Sequence, residues 1–332
     1  MDDHAQAPRP PLRALAERCH FAIGAAVATQ PLLNGEPDYC ALLAREFNVL
    51  VAENMMKWDA LSPAPEQYDW TASDALVAFA AKHAQRLRGH TLVWHNQLPA
   101  WLRDRSLSRT EALRLLETHI KTVVGRYRGQ VWAWDVVNEA IDDSGDYRRT
   151  SFWFRHLGPD YIALAFQWAH EADPDALLYY NDYSAEGISP KSDAIYRLVR
   201  DLKAQGVPIH GVGWQMHLIE GWRLEDQHLR NAERLRALGL ELSITELDVR
   251  LTLPPSPAQL DGQAESYRQA LSFALDHCRA LLTWGFSDRY SWIPSFQPGT
   301  GAALPFDEAY APKPAYHALW QTLAARAGQL HA

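Results

Sequence analysis

The chain has 332 residues, 47% hydrophobic and 22% charged, the balance of a globular protein able to bury one large α/β core or two smaller ones. Its formal net charge of −8 gives no general attraction for nucleic acid or anionic membranes, and no window approaches transmembrane length. Three scattered cysteines (Cys19, Cys40, Cys278) form neither a disulfide framework nor a metal-ligand spacing.

In chain order, the opening MDDHAQAPRPPL is acidic and then broken by proline, which predicts a flexible tail over 1–12 and one folded unit over 13–332. It lacks the basic and continuous apolar regions of a signal peptide. The chain as written therefore fits the cytoplasm, and a leader absent from it would place the protein in the periplasm or outside the cell. Short apolar runs then recur: FAIGAAV (21–27), NVLVAENMM (48–56), LRGHTLVWH (87–95) and VWAWDVVNE (131–139). They continue as LLYYNDY (177–183), IHGVGWQMH (209–217), LELSITELDV (240–249) and LLTWGFSD (281–288). Each reads as a strand buried on both faces.

Amphipathic segments with helical spacing lie between them. Leu76, Phe79, Ala80 and His83 share one stripe, and Leu113, Leu116 and Ile120 share another that opens on Ser108 and Glu111 in capping-box spacing. A third segment, SDAIYRLVRDLKAQG, stops at Gly206. No low-complexity linker divides the chain. Eight alternations of strand and helix with right-handed crossovers imply a (β/α)8 TIM barrel. A doubly wound open sheet is the rival, but the turn after the first strand, GAAVATQPLLNGEP, has no GxGxxG.

In such a barrel the chemistry gathers where the strands end. Here those ends are polar or aromatic: Glu53, Asn54 and Lys57 after strand two, and His90, Trp94, His95 and Gln97 at strand three. Asn138 and Glu139 follow at strand four, Asn181, Asp182 and Tyr183 at strand five, and Gln215 and His217 at strand six. Glu246 and Asp248 close strand seven, and Trp284 and Trp292 follow strand eight. One polar strand end is ordinary surface; seven that converge on one mouth describe a site. Two glutamates, Glu139 in DVVNEA and Glu246 in SITELDV, end strongly apolar strands on opposite sides of the ring. Paired carboxylates across a cleft are the minimum equipment for glycoside hydrolysis. The bland alternative is that both are structural, paired to arginine or capping helices. A metal-dependent barrel would need clustered ligands, and no HxH pair is present; a serine nucleophile would need a GxSxG elbow, also absent. Arg289 in SDRYSW reads as a surface residue, although a cation there would suit a charged substituent on a substrate.

The strings GHTLVWHNQLPAWL, WDVVNEA, NDY, ITELDV and TWGFSDRYSW, in this order and at these distances, closely resemble glycoside hydrolase family 10. The resemblance runs from about residue 12 to the PKPAYHAL segment near the end. It implies a retaining endo-1,4-β-xylanase on a (β/α)8 barrel. Glu139 is then the general acid/base, Glu246 the nucleophile, and His217 with Asp248 behind it the pair that aims the nucleophile. By the same resemblance Asn138 meets the sugar 2-hydroxyl, while Glu53, Asn54, Lys57, His90, Trp94 and Gln97 grip the non-reducing side. Gln215, Tyr183, Trp284 and Trp292 close around the sugars beside the scissile bond, the tryptophans forming a wall that admits xylose and crowds the C6 group of glucose. No cofactor or metal is implied. The expected partner is xylan or xylo-oligosaccharides, with no nucleic acid and no membrane, and the chain is expected to be a monomer. Departures from the pattern are Trp214 and Met216 around Gln215 and a compact, proline-rich RLTLPPSPAQLDG loop after strand seven, which leave the number of subsites open.

Overall fold

The computed structural model describes residues 9–330. All eight apolar runs form strands: β1 (Ala22–Val27), β2 (Val49–Ala52), β3 (Arg86–Val93), β4 (Ala133–Asn138), β5 (Leu177–Asp182), β6 (Gly211–Trp214), β7 (Glu241–Thr252) and β8 (Ala280–Thr283). Neighbours in sequence pair in parallel, and β8 closes onto β1 from Ala22↔Ala280 to Ala25↔Thr283. The fold is therefore the (β/α)8 barrel and not the open sheet. Closure leaves the ring no edge, and helices cover its outside, which is why these strands are apolar runs instead of alternating ones.

The helices follow the spacing read from the sequence. Thr71–Lys82 buries Leu76 and Ala80, with Phe79 and His83 half-buried at the margin of the stripe. Arg109–Arg126 starts on a reciprocal capping box between Ser108 and Glu111 and buries Leu116 and Ile120. Pro190–Ala204 stops just before Gly206, whose φ of +72° is the left-handed turn that glycine adopts without steric cost.

Most strands are shorter than the apolar runs that announced them. The run 209–217 contributes only Gly211–Trp214 to the barrel. His217 is thus not on β6 but opens a separate strand, His217–Ile219, paired to the outer end of β7. β7 overshoots its neighbours because that short strand on one side and Thr300–Gly301 on the other satisfy its projecting backbone groups.

The lumen is divided. One side is apolar, where Ala22, Ala26, Val49, Val51, Ala280 and Leu282 pack beneath Trp284. The other is polar: the fully buried Arg88 forks onto Asp135, with Nη2 to Oδ1 at 2.5 Å, and its guanidinium lies 4.4 Å from the centre of the Tyr179 ring. Pairing offsets the cost of burying both charges. Of the expected tail, residues 1–8 lie outside the described residues. From there the chain is tied down, since Trp320 donates its indole N–H to the Pro10 carbonyl at 2.8 Å and Leu12 begins a helix, Leu12–Arg18, with its leucines buried. Cys19, Cys40 and Cys278 are unpaired. Among the described residues no helix is long and apolar enough to cross a membrane.

Candidate active site

A cleft of about 690 Å³ opens at the C-terminal ends of the strands. The strand-end residues named above line it except Asn181, Asp182 and Asp248, which are fully buried just beneath or behind its wall. The strands have delivered their polar ends to one place, and the bonds among those ends define the site.

β4 stops at Asn138, and Glu139 turns into the left-handed region with φ +56°. Successive side chains on a strand face opposite ways; this turn lets Asn138 and Glu139 reach the same cleft. The Glu139 N–H is held by the Asn181 carbonyl at 2.9 Å. Its carboxyl accepts from Asn138 Nδ2 (3.1 Å) and Gln215 Nε2 (3.0 Å) on Oε1 and from the Trp94 indole (2.9 Å) on Oε2. His95 Nδ1 stands 3.8 Å from Oε2. Burial, helped by the charges of Arg148 and Lys191, pushes the His95 imidazole down to about 4, so it faces Glu139 uncharged at neutral pH.

Glu246 lies three steps around the ring, on β7. The pairing of β7 with β8 slips between Ile244 and Leu247, an irregularity that re-aims the intervening side chains. Glu246 Oε1 accepts from Asn181 Nδ2 at 2.7 Å, and Oε2 lies 3.1 Å from His217 Nε2. His217 Nδ1 in turn meets Asp248 Oδ2 at 2.9 Å. Burial alone would discharge His217, but the Asp248 charge and the bonds to Asp248 and Glu246 prevail and raise it to about 10. The imidazolium then donates to both carboxylates. Burial likewise pushes the Glu246 carboxyl up, and the hydrogen bond from His217 with the fields of His90 and His217 more than reverses this, leaving it below the usual range and ionised. Beneath it, His90 Nδ1 bonds Asp135 at 3.0 Å, which ties the site to the Arg88–Asp135 pair in the lumen.

Asn181 joins the two carboxylates. Its Nδ2 reaches Asn138 Oδ1 (2.9 Å) as well as Glu246, and its Oδ1 accepts from Thr245 (2.7 Å). Gly213 on β6 makes room for it, since a Cβ there would sit 2.2 Å from Asn181 Oδ1. The sequence marks Asn181 only as a polar strand end; this bridging role depends on three strands meeting.

At one end of the cleft Lys57 donates to Asn54 (3.0 Å) and Gln97 (2.8 Å) and lies over the Trp94 and Trp284 rings. Burial lifts the nearby Glu53 carboxyl to about 7 against the pull of Lys57 and Asn54. At the other end the Tyr183 hydroxyl donates to Asp143 (2.5 Å) and accepts from Arg148 (3.1 Å), while Lys191 Nζ sits 3.1 Å from its ring centre and 2.9 Å from Asp182. Arg148 also bonds the Glu139 carbonyl at 3.0 Å. Sequence reasoning missed Asp143, Arg148 and Lys191, which come from loops and a helix start; the charge density of IDDSGDYRR was the one signal for the first two, and nothing local marked Lys191. Trp292 lines the cleft and donates to Asp248 Oδ2 at 2.9 Å, a bond no spacing announces. Arg289 lies outside the cleft, 3.9 Å from Glu36 and over the Tyr290 and Tyr310 rings. Among the described residues no three His, Cys, Asp or Glu side chains gather as a metal-binding group. The arrangement offers one carboxylate held ionised and a second among neutral donors, facing the same cleft, which suits cleavage of an acetal.

Comparison with known proteins agrees in sequence and shape. Residues 12–322 match the model of Glycosyl hydrolase family 10. The chain is 46% identical over 314 residues to endo-1,4-beta-xylanase B of Thermotoga neapolitana, covering 93% of this chain and 90% of that protein. It is 41% identical over 289 residues to an endo-1,4-beta-xylanase of Agaricus bisporus, covering 86% of each. The crystal structure of xylanase 10B from Thermotoga petrophila RKU-1 in complex with xylobiose superposes with a TM-score of 0.94 at 45% identity, over 97% of this chain and 100% of that one.

Proposed function

The chain belongs to glycosyl hydrolase family 10, and we propose that it works as a retaining endo-1,4-β-xylanase on xylan or xylo-oligosaccharides, as a monomer with a single catalytic domain from residue 13 onward. Glu246 attacks the anomeric carbon and forms a covalent glycosyl-enzyme, while Glu139 gives its proton to the departing glycosidic oxygen. Glu139 then takes a proton from water, which attacks the same carbon and releases the sugar with its β configuration. The observation that carries this reading is the His217–Asp248 pair, which keeps Glu246 anionic in a buried site, where an isolated carboxyl would take up a proton.

The rest of the cleft supports the same reading. Asn138 sits beside Glu139 and is linked through Asn181 to Glu246, so it can hydrogen-bond the sugar 2-hydroxyl between the two. Glu53, Asn54, Lys57, His90, Trp94 and Gln97 would bind sugar hydroxyls and a ring face on the glycone side. Tyr183 and Gln215 would serve the scissile bond and the aglycone, with Trp284 and Trp292 as the wall against C5.

Proton NMR of the anomeric region during digestion of xylohexaose, with cellohexaose in parallel, tests the proposal. The β-anomer appears first, before mutarotation, and only from xylohexaose. An initial α-anomer would overturn retention, and the absence of cleavage would overturn the substrate assignment.

A further inference from the structure

Of the three lysine or arginine side chains lining the cleft, two are engaged. Lys57 is held by Asn54 and Gln97, and Arg148 by two backbone carbonyls and Tyr183. Arg250 is different: among the described residues its guanidinium makes no ion pair and no hydrogen bond. It is only half-buried, so its donors face the cleft and solvent.

Its position is set by β7. Glu246, Asp248 and Arg250 alternate along the strand and share a face, which puts Arg250 about 13 Å beyond Glu246 toward the rim. That end of the strand is anchored: Arg250 pairs with Ile219, and its carbonyl accepts from the Glu220 N–H at 3.2 Å. The Glu220 carboxylate is engaged elsewhere, by Gln259 at 2.8 Å. Lining the same cleft, Phe296 is 60% exposed, its ring 4.6 Å from that of Trp292.

Neutral sugar hydroxyls are matched deeper in the cleft by amides such as Asn54, Asn138 and Gln215. A guanidinium carried on an anchored strand end and without a counter-charge, with an exposed aromatic ring lining the same cleft, matches a sugar that carries a carboxylate. Deeper in the cleft the ionised Glu246 disfavours an anionic substituent, and Lys57 and Arg148 are already held by neighbours. We propose that Arg250 and Phe296 form a subsite for a uronic acid substituent of the xylan chain: the guanidinium pairs with the carboxylate, and Phe296 packs on the sugar ring. This rests on the reading that the cleft binds xylan.

The test compares kcat/KM on a xylo-oligosaccharide bearing one glucuronic acid branch with the same compound after its carboxyl is reduced to the alcohol, with xylohexaose as reference. The native enzyme prefers the acid over the alcohol by about fivefold at low salt, the scale of a partly exposed ion pair. The preference falls toward unity as salt is added and in Arg250→Met, and Arg250→Lys keeps part of it. Phe296→Ala weakens binding of acid and alcohol alike. Equal rates on acid and alcohol in the native enzyme, or a preference that survives in Arg250→Met, overturn the subsite. Failure to cut xylohexaose overturns the underlying xylanase reading instead. Equal rates on acid and alcohol in the native enzyme at low salt overturn the subsite even if the variants do not fold.

Discussion

His217 Nε2 lies 3.1 Å from Glu246 Oε2 while its Nδ1 lies 2.9 Å from Asp248, so one imidazolium is shared between the proposed nucleophile and a buried aspartate. Asp248→Asn removes the charge that most favours the imidazolium, and the His217 pKa falls from about 10 toward its ordinary 6.5. A pH–rate profile will show the basic limb moving to lower pH, with kcat at pH 8 down by about tenfold or more. Stability follows the same sign. A raised histidine pKa contributes stability that is full below 6.5 and is lost as pH rises toward 10. The native Tm therefore declines across that window, and the decline is shallower in Asp248→Asn.

Glu139→Ala separates the two chemical steps. Without a proton donor, hydrolysis of xylan falls by about 10²–10⁴. A substrate with a leaving group acidic enough to depart unprotonated, such as a dinitrophenyl xylobioside, still forms the glycosyl-enzyme quickly. A burst of dinitrophenol followed by slow turnover is the expected stopped-flow trace. Equal losses on both substrates would remove Glu139 from the acid role.

Glu53, proposed to bind substrate, carries a stability cost. Its carboxyl is raised by burial to about 7 from an ordinary 4.5. Stability is therefore lost as pH rises between those values, because the unfolded chain releases a proton that the folded one holds. Glu53→Gln has little effect on Tm at pH 4, raises it by about 2 °C at pH 8, and increases KM for xylohexaose. Thermal scans at the two pH values check the sign.

Gly213→Ala places a methyl group against Asn181, the residue that ties Asn138 to Glu246. Moving Asn181 disturbs both carboxylates at once. Destabilisation of about 1–3 kcal/mol by urea titration is expected, with kcat lowered more than KM changes.

Trp292 has a bond to Asp248 and a proposed role as a wall, and substitution can separate them. Trp292→Phe keeps an apolar wall and loses the bond to Asp248, so kcat falls several-fold, by the ~1 kcal/mol of one hydrogen bond, while the preference for xylose persists. Trp292→Ala opens the wall and raises the rate on cellohexaose relative to xylohexaose by about tenfold. Rates on both hexasaccharides distinguish the two effects.

Much of this was legible before any coordinates. Eight apolar runs separated by helical stripes determined the barrel, because period and burial are local properties of the chain. The strand ends announced the cleft, and the residues read there line it apart from Asn181, Asp182 and Asp248, one layer behind. What the tertiary structure alone decided are the bonds among those residues. Gln215 reaches Glu139 across 76 positions, Asn181 reaches Glu246 across 65, and Trp292 reaches Asp248 across 44. His217 left β6 for its own short strand, and Arg88 met Asp135 inside the lumen. Local pattern specifies which face of an element is buried, but which side chains then touch depends on how the ring closes and where each strand ends; that is a property of all eight strands together.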